Sequence, residues 1–238
     1  MAAYNVEEVL PPVLDSTSES PPLFDGTTRL YLNYECPFCQ RVWIVRNYKG
    51  LHDKIKLIAI HLRNKPGWYK EKLYPENKVP SLEHNGKVIG ESLDLIKYLD
   101  SNFEGPALLP DAPAKQNFAE ELVANCGTFI NNVFTSFKGD PVKEAGGEFD
   151  YLETALGKFD DGPFFLGHFS QVDTVYVPFI ERFHIFLQEV WKYDITSGRP
   201  KLAAYVEEIN KIDAYKNTKC NPKALVELYT SWYLAKWN

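Results

Sequence analysis

The sequence predicts an α/β unit followed by an all-α unit. Between Arg29 and Ser101 the hydrophobic pattern alternates between the two-residue period of strands and the 3.6-residue period of helices, in the order β-α-β-α-β-β-α. Two short apolar segments late in that run flank Asn85-Gly86, a pair that accepts the positive φ values of a tight hairpin turn. Beyond Pro113 every periodic segment has the helical repeat.

The first strand is Arg29-Leu-Tyr-Leu-Asn-Tyr34, and a helix follows from Pro37. Its apolar residues Phe38, Val42 and Val45 share one face, and Gly50 supplies a C-terminal stop. Lys54–Ile60 alternates and then turns continuously apolar, as a buried strand does. Pro66 opens one or two helical turns over 66–73, proline being favoured at the first helical position. Ser81–His84 and Lys87–Ile89 are the hairpin arms, and Ser92–Ser101 places Leu95, Ile96 and Leu99 on one helical face. Residues 28–102 thus form one domain and 103–112, rich in turn residues, a linker. Residues 113–238 form a second domain, with helices expected near 113–137, 141–159, 171–191, 200–211 and 222–236. Ser170-Gln-Val-Asp173 has the spacing of a capping box ahead of a helix apolar on nearly every side. Residues 1–27 read as a mobile or loosely docked arm, because Pro11, Pro12, Pro21 and Pro22 discourage helix there.

A chain of 238 residues suits one large domain or two small ones. Its 26 basic and 32 acidic residues leave a net charge of −6, which disfavours a general electrostatic grip on nucleic acid or an anionic membrane. No apolar run reaches the roughly 18 residues of a membrane span. The acidic, Pro/Ser-rich start lacks the basic and apolar blocks of a secretory signal, so a cytoplasmic location is expected.

Glu35-Cys36-Pro37-Phe38-Cys39-Gln40-Arg41 lies where a strand becomes a helix. Cys36 falls at or near the N-cap, with Pro37 suited to N1, so unpaired N–H groups and the positive end of the helix dipole point at its sulfur. A thiolate is stabilised there, and the thiol should titrate below the roughly 8.5 of free cysteine. This is the chemistry of a nucleophile or a disulfide exchanger. Cys39, one turn on, is either a resolving thiol or a small buried side chain; the C-x-x-C spacing admits both. Cys126 and Cys220 are isolated, with structural roles by default. No second cysteine pair or histidine pair has zinc-ligand spacing, so no metal is expected. Val79-Pro80 precedes the hairpin, where a cis peptide would leave the Val79 backbone open to an extended peptide. Glu91 and Ser92 open the next helix: taken alone Ser92 is an N-cap and Glu91 a first-turn acid, while the free N–H groups and the hydroxyl there also suit a carboxylate.

Four motifs carry a family resemblance: Cys36–Trp43 (C-P-F-C-Q-R-V-W), Asn64–Tyr69 (N-K-P-G-W-Y), Asn77–Glu83 (N-K-V-P-S-L-E) and Gly90–Tyr98 (G-E-S-L-D-L-I-K-Y). With the Ser170–Asp173 box, the chain over 28–238 resembles a plant lambda-class glutathione transferase, a cysteine-type class related to omega transferases and dehydroascorbate reductases. The resemblance implies a thioredoxin-like N-terminal domain, an all-helical C-terminal domain, and glutathione as cosubstrate. It implies Cys36 as the catalytic thiol, Lys65 contacting a glutathione carboxylate, Val79 pairing with the cysteinyl backbone beside cis-Pro80, and Glu91 and Ser92 holding the γ-glutamyl end. Phe38 joins these glutathione-binding residues. Where Cys39 stands the family commonly has alanine. The implied activity is thiol transfer: removal of glutathione from mixed disulfides or from small hydrophobic glutathionylated molecules, such as conjugates of the flavonoid quercetin, by a monomer. Dehydroascorbate reduction and non-catalytic carriage of hydrophobic plant metabolites are the alternatives.

Overall fold

A computed structural model describes residues 8–234. The chain divides into two compact units, one running up to Pro106 and including Asp213–Thr218, the other formed by Ala107–Ile212 and the segment from Lys219 onward.

The first unit is built on a five-stranded sheet of β1 (Val13–Leu14), β2 (Arg29–Leu32), β3 (Lys56–Ile60), β4 (Ser81–His84) and β5 (Lys87–Ile89), in the order β1-β3-β2-β4-β5. β2 and β3 are parallel, while β4 pairs antiparallel with both β2 and β5. All of β2 is buried, as its unbroken Leu-Tyr-Leu run requires at the centre of a sheet. Asn85 and Gly86 take φ values of 51° and 71° in the hairpin turn. Helices α1 (Pro37–Tyr48) and α2 (Ser92–Asn102) pack together, with Val42, Val45, Leu95 and Leu99 buried. The turns expected at 66–73 include a π-helical turn over Tyr69–Leu73.

Of the two readings of the N-terminal arm, mobile or loosely docked, the described part, 8–27, is docked; residues 1–7 lie outside the described residues. β1 adds to the sheet in parallel, with Val13 opposite Ala59 and Leu14 opposite Ile60. Tyr34 Oη donates to the Pro11 carbonyl at 2.7 Å, and Trp68 Nε1 donates to the Ser18 carbonyl at 3.0 Å. Arg46 grips the Glu8 carboxylate through both of its terminal nitrogens, at 2.6 and 2.7 Å. The prolines do suppress helix, but the extended backbone they leave is what a sheet edge accepts.

The second unit contains α3 (Pro113–Ser136), α4 (Pro141–Glu144), α5 (Gly146–Leu156), α6 (Gln171–Trp191), α7 (Pro200–Ile209) and α9 (Pro222–Tyr229). The helix expected over 141–159 is broken in two ahead of Gly146-Gly147, a pair poorly suited to helix interiors. α6 is buried without interruption from Gln171 to Phe183 and begins at the Ser170–Asp173 capping box. The backbone N–H and hydroxyl of Ser170 both donate to Asp173 Oδ2 at 2.8 Å. The last expected helix keeps α-geometry to Tyr229 and continues as a π-helical turn to Leu234; its remaining residues, 235–236, lie outside the described residues.

A short helix missing from the sequence reading, α8 (Asp213–Lys216), packs on α1, so one piece of the helical region belongs to the first unit. Gln40 Nε2 donates to Thr218 Oγ1 at 3.3 Å beside it. The expected linker is divided between the units. Lys49 Nζ donates to the Pro106 carbonyl at 3.2 Å in the first, and the Gln171 N–H donates to the Leu108 carbonyl at 2.8 Å in the second. Gly105, at φ +132°, lies so close to Lys49 that a Cβ would stand 2.8 Å from its carbonyl oxygen.

Candidate functional site

Because β2 and β3 run parallel, the segments leaving their carboxyl ends emerge at one edge of the sheet. In open α/β sheets that edge is where ligands bind. Cys36 follows β2 and Lys65 follows β3, so the topology gathers both there. β4 runs the other way, with Ser81 opposite Tyr31; one step further along this register sets Pro80 beside Leu32, next to the chain that leads to Cys36.

Cys36 is the N-cap of α1, at φ −80° and ψ 119°, with Pro37 following it in the helix. The turn before it is organised by Asn33. Asn33 Oδ1 accepts from the Glu35 N–H at 2.9 Å, its carbonyl accepts from the Cys36 N–H at 3.2 Å, and its Nδ2 donates to the Ile60 carbonyl at 2.9 Å. One asparagine thereby ties the Cys36 turn to the end of β3. Cys36 is 8% exposed, at the margin between core and solvent. Phe38 is 43% exposed, with the Arg41 guanidinium 5.3 Å from its ring centroid.

Cys39 is fully enclosed, and its Sγ accepts from the Asn33 N–H at 3.4 Å. That enclosure is what the small-buried-side-chain reading of Cys39 expects. All four cysteines are thiols. Burial and the Glu181 carboxylate, which accepts from Cys220 Sγ at 3.4 Å, push the Cys220 thiol up to about 12.

The Val79–Pro80 peptide is cis; Val79 is half-buried and Pro80 buried. Tyr69 holds this segment, its hydroxyl donating to the Lys78 carbonyl at 2.6 Å and pairing with Ser81 Oγ at 2.8 Å. Glu91 precedes α2 at φ 62° and ψ 116°, a conformation costing a non-glycine residue about 1–3 kcal/mol and concentrated at functional sites. Its exposed carboxylate meets Lys78 Nζ at 3.2 Å. A Cβ at Gly90 would collide with the Tyr74 hydroxyl, so a larger residue there requires that side chain to shift. Ser92, the first residue of α2, is buried, and its Oγ accepts from Arg41 Nη1 at 3.2 Å.

The thiol, the Val79 segment and the α2 start thus belong to one constellation, cross-tied by Asn33, Arg41 and the Lys78–Glu91 pair. Lys65 is half-buried on the neighbouring loop. Sequence reasoning missed three residues that position the others: Asn33, Arg41 and Tyr69. Arg41 had a signal, a charge beside the apolar Val42-Trp43-Ile44-Val45 run, where burial demands a partner. Asn33 and Tyr69 had none, being a polar residue before a turn and an aromatic in a short helix. Among the described residues no group of three or more His, Cys, Asp or Glu side chains could hold a metal ion, and no helix is long and apolar enough to cross a membrane.

Residues 30–107 match the family model described as glutathione S-transferase, N-terminal domain, and 143–208 match glutathione S-transferase, C-terminal domain. The chain is 61% identical over 224 residues to glutathione S-transferase L3 of Arabidopsis thaliana, covering 94% of this chain and 95% of that one. It is 62% identical over 207 residues to protein IN2-1 homolog B of Oryza sativa, covering 86% and 85%. The crystal structure of glutathione transferase Omega 3C from Trametes versicolor superposes with a TM-score of 0.76 at 24% identity, over 91% of this chain and 92% of that one. The chain belongs to the glutathione S-transferase family, in its plant lambda class.

Proposed function

We propose that this transferase uses Cys36 itself as the nucleophile, taking the glutathionyl group from mixed disulfides. The observation that carries this reading is Cys36 at the N-cap of α1, where first-turn N–H groups and the helix dipole favour a thiolate. A tyrosine or serine at such a position would hydrogen-bond the thiolate of glutathione and promote its addition to electrophiles. A cysteine thiolate instead attacks the glutathionyl sulfur of R–S–S–G. That disulfide breaks, RS⁻ leaves with the electron pair and takes up a proton, and Cys36 carries glutathione as a new disulfide. A second glutathione, as thiolate, attacks the bound glutathionyl sulfur, releasing oxidised glutathione and regenerating the Cys36 thiolate. The net exchange is R–S–S–G plus one free glutathione giving R–SH plus oxidised glutathione, and no second protein thiol takes part. The same attack frees a flavonoid from glutathione where the ring carbon leaves as a stabilised anion and is protonated.

Glutathione would lie along the gathered edge. The Val79 backbone pairs with its cysteinyl backbone, Lys65 meets a carboxylate, Glu91 meets the γ-glutamyl amine, and Ser92 with the α2 start meets the γ-glutamyl α-carboxylate. Phe38 borders the sulfur.

Intact mass after incubation with oxidised glutathione should show one adduct, mapped to Cys36 and absent in Cys36→Ser. With a glutathionylated disulfide as substrate, Cys36→Ser should lose turnover almost completely while Cys39→Ser keeps most of it. Full transfer by Cys36→Ser would refute the assignment, and loss of transfer in Cys39→Ser would require a dithiol route.

A further inference from the structure

We propose that Arg41 is a positioning residue for glutathione recognition: its buried guanidinium sets the Ser92 hydroxyl as a donor toward the γ-glutamyl α-carboxylate. The proposal rests on the glutathione reading of the site and adds to it a residue on the thiol-bearing helix that acts through Ser92.

The hydrogen-bond chemistry fixes the direction. Arg41 is 3% exposed, and its Nη1 lies 3.2 Å from Ser92 Oγ. A guanidinium can only donate, so the serine oxygen accepts on that side. The hydroxyl hydrogen must then point elsewhere, leaving Ser92 to donate to whatever occupies the α2 start. A cation on the accepting side also polarises the O–H bond and strengthens that donation.

Electrostatics names the kind of occupant. Ser92 is the first residue of the eleven-residue α2, whose unpaired N–H groups carry partial positive charge. A buried guanidinium and a helix N-terminus therefore meet at a single oxygen. A carboxylate seated on Ser92 would accept from its hydroxyl and lie against those first-turn N–H groups. The first-turn acid Asp94 is exposed, on a different side of the helix from buried Ser92. Glu91, at its positive φ of 62°, turns the chain into α2 and has its carboxylate on Lys78 Nζ.

Geometry supplies the reason for an arginine on α1. Cys36 and Arg41 are five residues apart, about 7.5 Å along a helix axis. A rigid, planar fork reaching from α1 to α2 keeps the carboxylate subsite in register with the thiol. Phe38, three residues before Arg41 on the same helix, sets its ring centroid 5.3 Å from the guanidinium carbon.

The test pairs glutathione with an analogue lacking the α-carboxylate, 4-aminobutyryl-cysteinyl-glycine, as the reducing cosubstrate. The proteins are wild type, Arg41→Met, Arg41→Lys, Ser92→Ala and the Arg41→Met/Ser92→Ala double variant. Wild type should favour glutathione by about tenfold or more in KM, the scale of one charge-assisted hydrogen bond. Arg41→Met should raise the KM for glutathione about tenfold, with kcat changed less than about threefold, and leave the KM for the analogue within about twofold. Arg41→Lys, keeping charge but not the fork, should fall between wild type and Arg41→Met. The double variant should be little worse than Ser92→Ala alone. A KM rise equal for both cosubstrates, or losses that multiply in the double variant, would overturn the role of Arg41. Should Arg41→Met fail to fold, Arg41→Lys carries the same comparison: a rise confined to glutathione supports the proposal, and an equal rise for both overturns it. Wild type showing no preference for glutathione would instead remove the carboxylate subsite, and with it the glutathione placement beneath this proposal.

Discussion

Replacing Glu8 with alanine removes a carboxylate from Arg46, a side chain with no exposed surface. A guanidinium has five N–H donors, and here each has an acceptor. Nε donates to the Ile55 carbonyl at 2.8 Å. Nη1 donates to Glu8 Oε2 at 2.7 Å and Asn47 Oδ1 at 3.1 Å, and Nη2 to Glu8 Oε1 at 2.6 Å and the His52 carbonyl at 3.2 Å. Glu8→Ala leaves two donors without protein partners and the charge without its counter-ion. Two charge-assisted bonds are worth about 3–6 kcal/mol together. The Glu8 side chain is 25% exposed, so water replaces part of the loss, and about 2–3 kcal/mol remains. In urea, with a slope of about 2–3 kcal/mol per molar, the midpoint should drop by about 1 M. Tryptophan fluorescence reads the transition, since Trp43 and Trp68 are buried in the first unit. Glu8→Gln, which keeps a hydrogen-bond acceptor without the charge, should lose less. A Glu8→Ala midpoint within about 0.2 M of wild type would refute this account of how the arm is held.

Burial pushes the Asp173 carboxyl up to about 7, against hydrogen bonds from Ser170 and Phe165 that favour its anion. The folded chain therefore holds this proton over a range where the unfolded chain has released it, and Asp173 makes stability fall as pH rises from about 4 to about 7. Unfolding free energies of wild type and Asp173→Asn should converge or cross over that window, and parallel pH profiles would contradict it. The protein should be a monomer, as the lambda-class resemblance implies; light scattering that returned a stable species of twice the chain mass would overturn this.

Much of this molecule is determined locally. Asn85-Gly86 makes its hairpin because both residues tolerate positive φ, and Pro37 and Pro222 start helices because a first helical residue has no N–H to lose. The cysteine at the head of α1 was legible for the same reason, since strand, N-cap and N1 proline are contiguous in the chain. The Ser170–Asp173 box spans four residues and formed as read. What the tertiary structure decided involves partners distant in sequence. β1 is two residues long, too short for any periodicity, and exists because β3 offers it an edge. The arm is held by Glu8 on Arg46, 38 residues away, and α8 joins the first unit through α1. The enclosure of Cys39, with its sulfur accepting from the Asn33 N–H, is likewise visible only in the folded chain. Arg41 shows the same division: its charge beside an apolar run announced that a partner must exist, but Ser92, 51 residues on, was chosen by the packing of α1 against α2. Local conformation follows from the sterics and hydrogen-bond needs of neighbouring residues, whereas a long-range pairing depends on which surfaces the folded chain brings together.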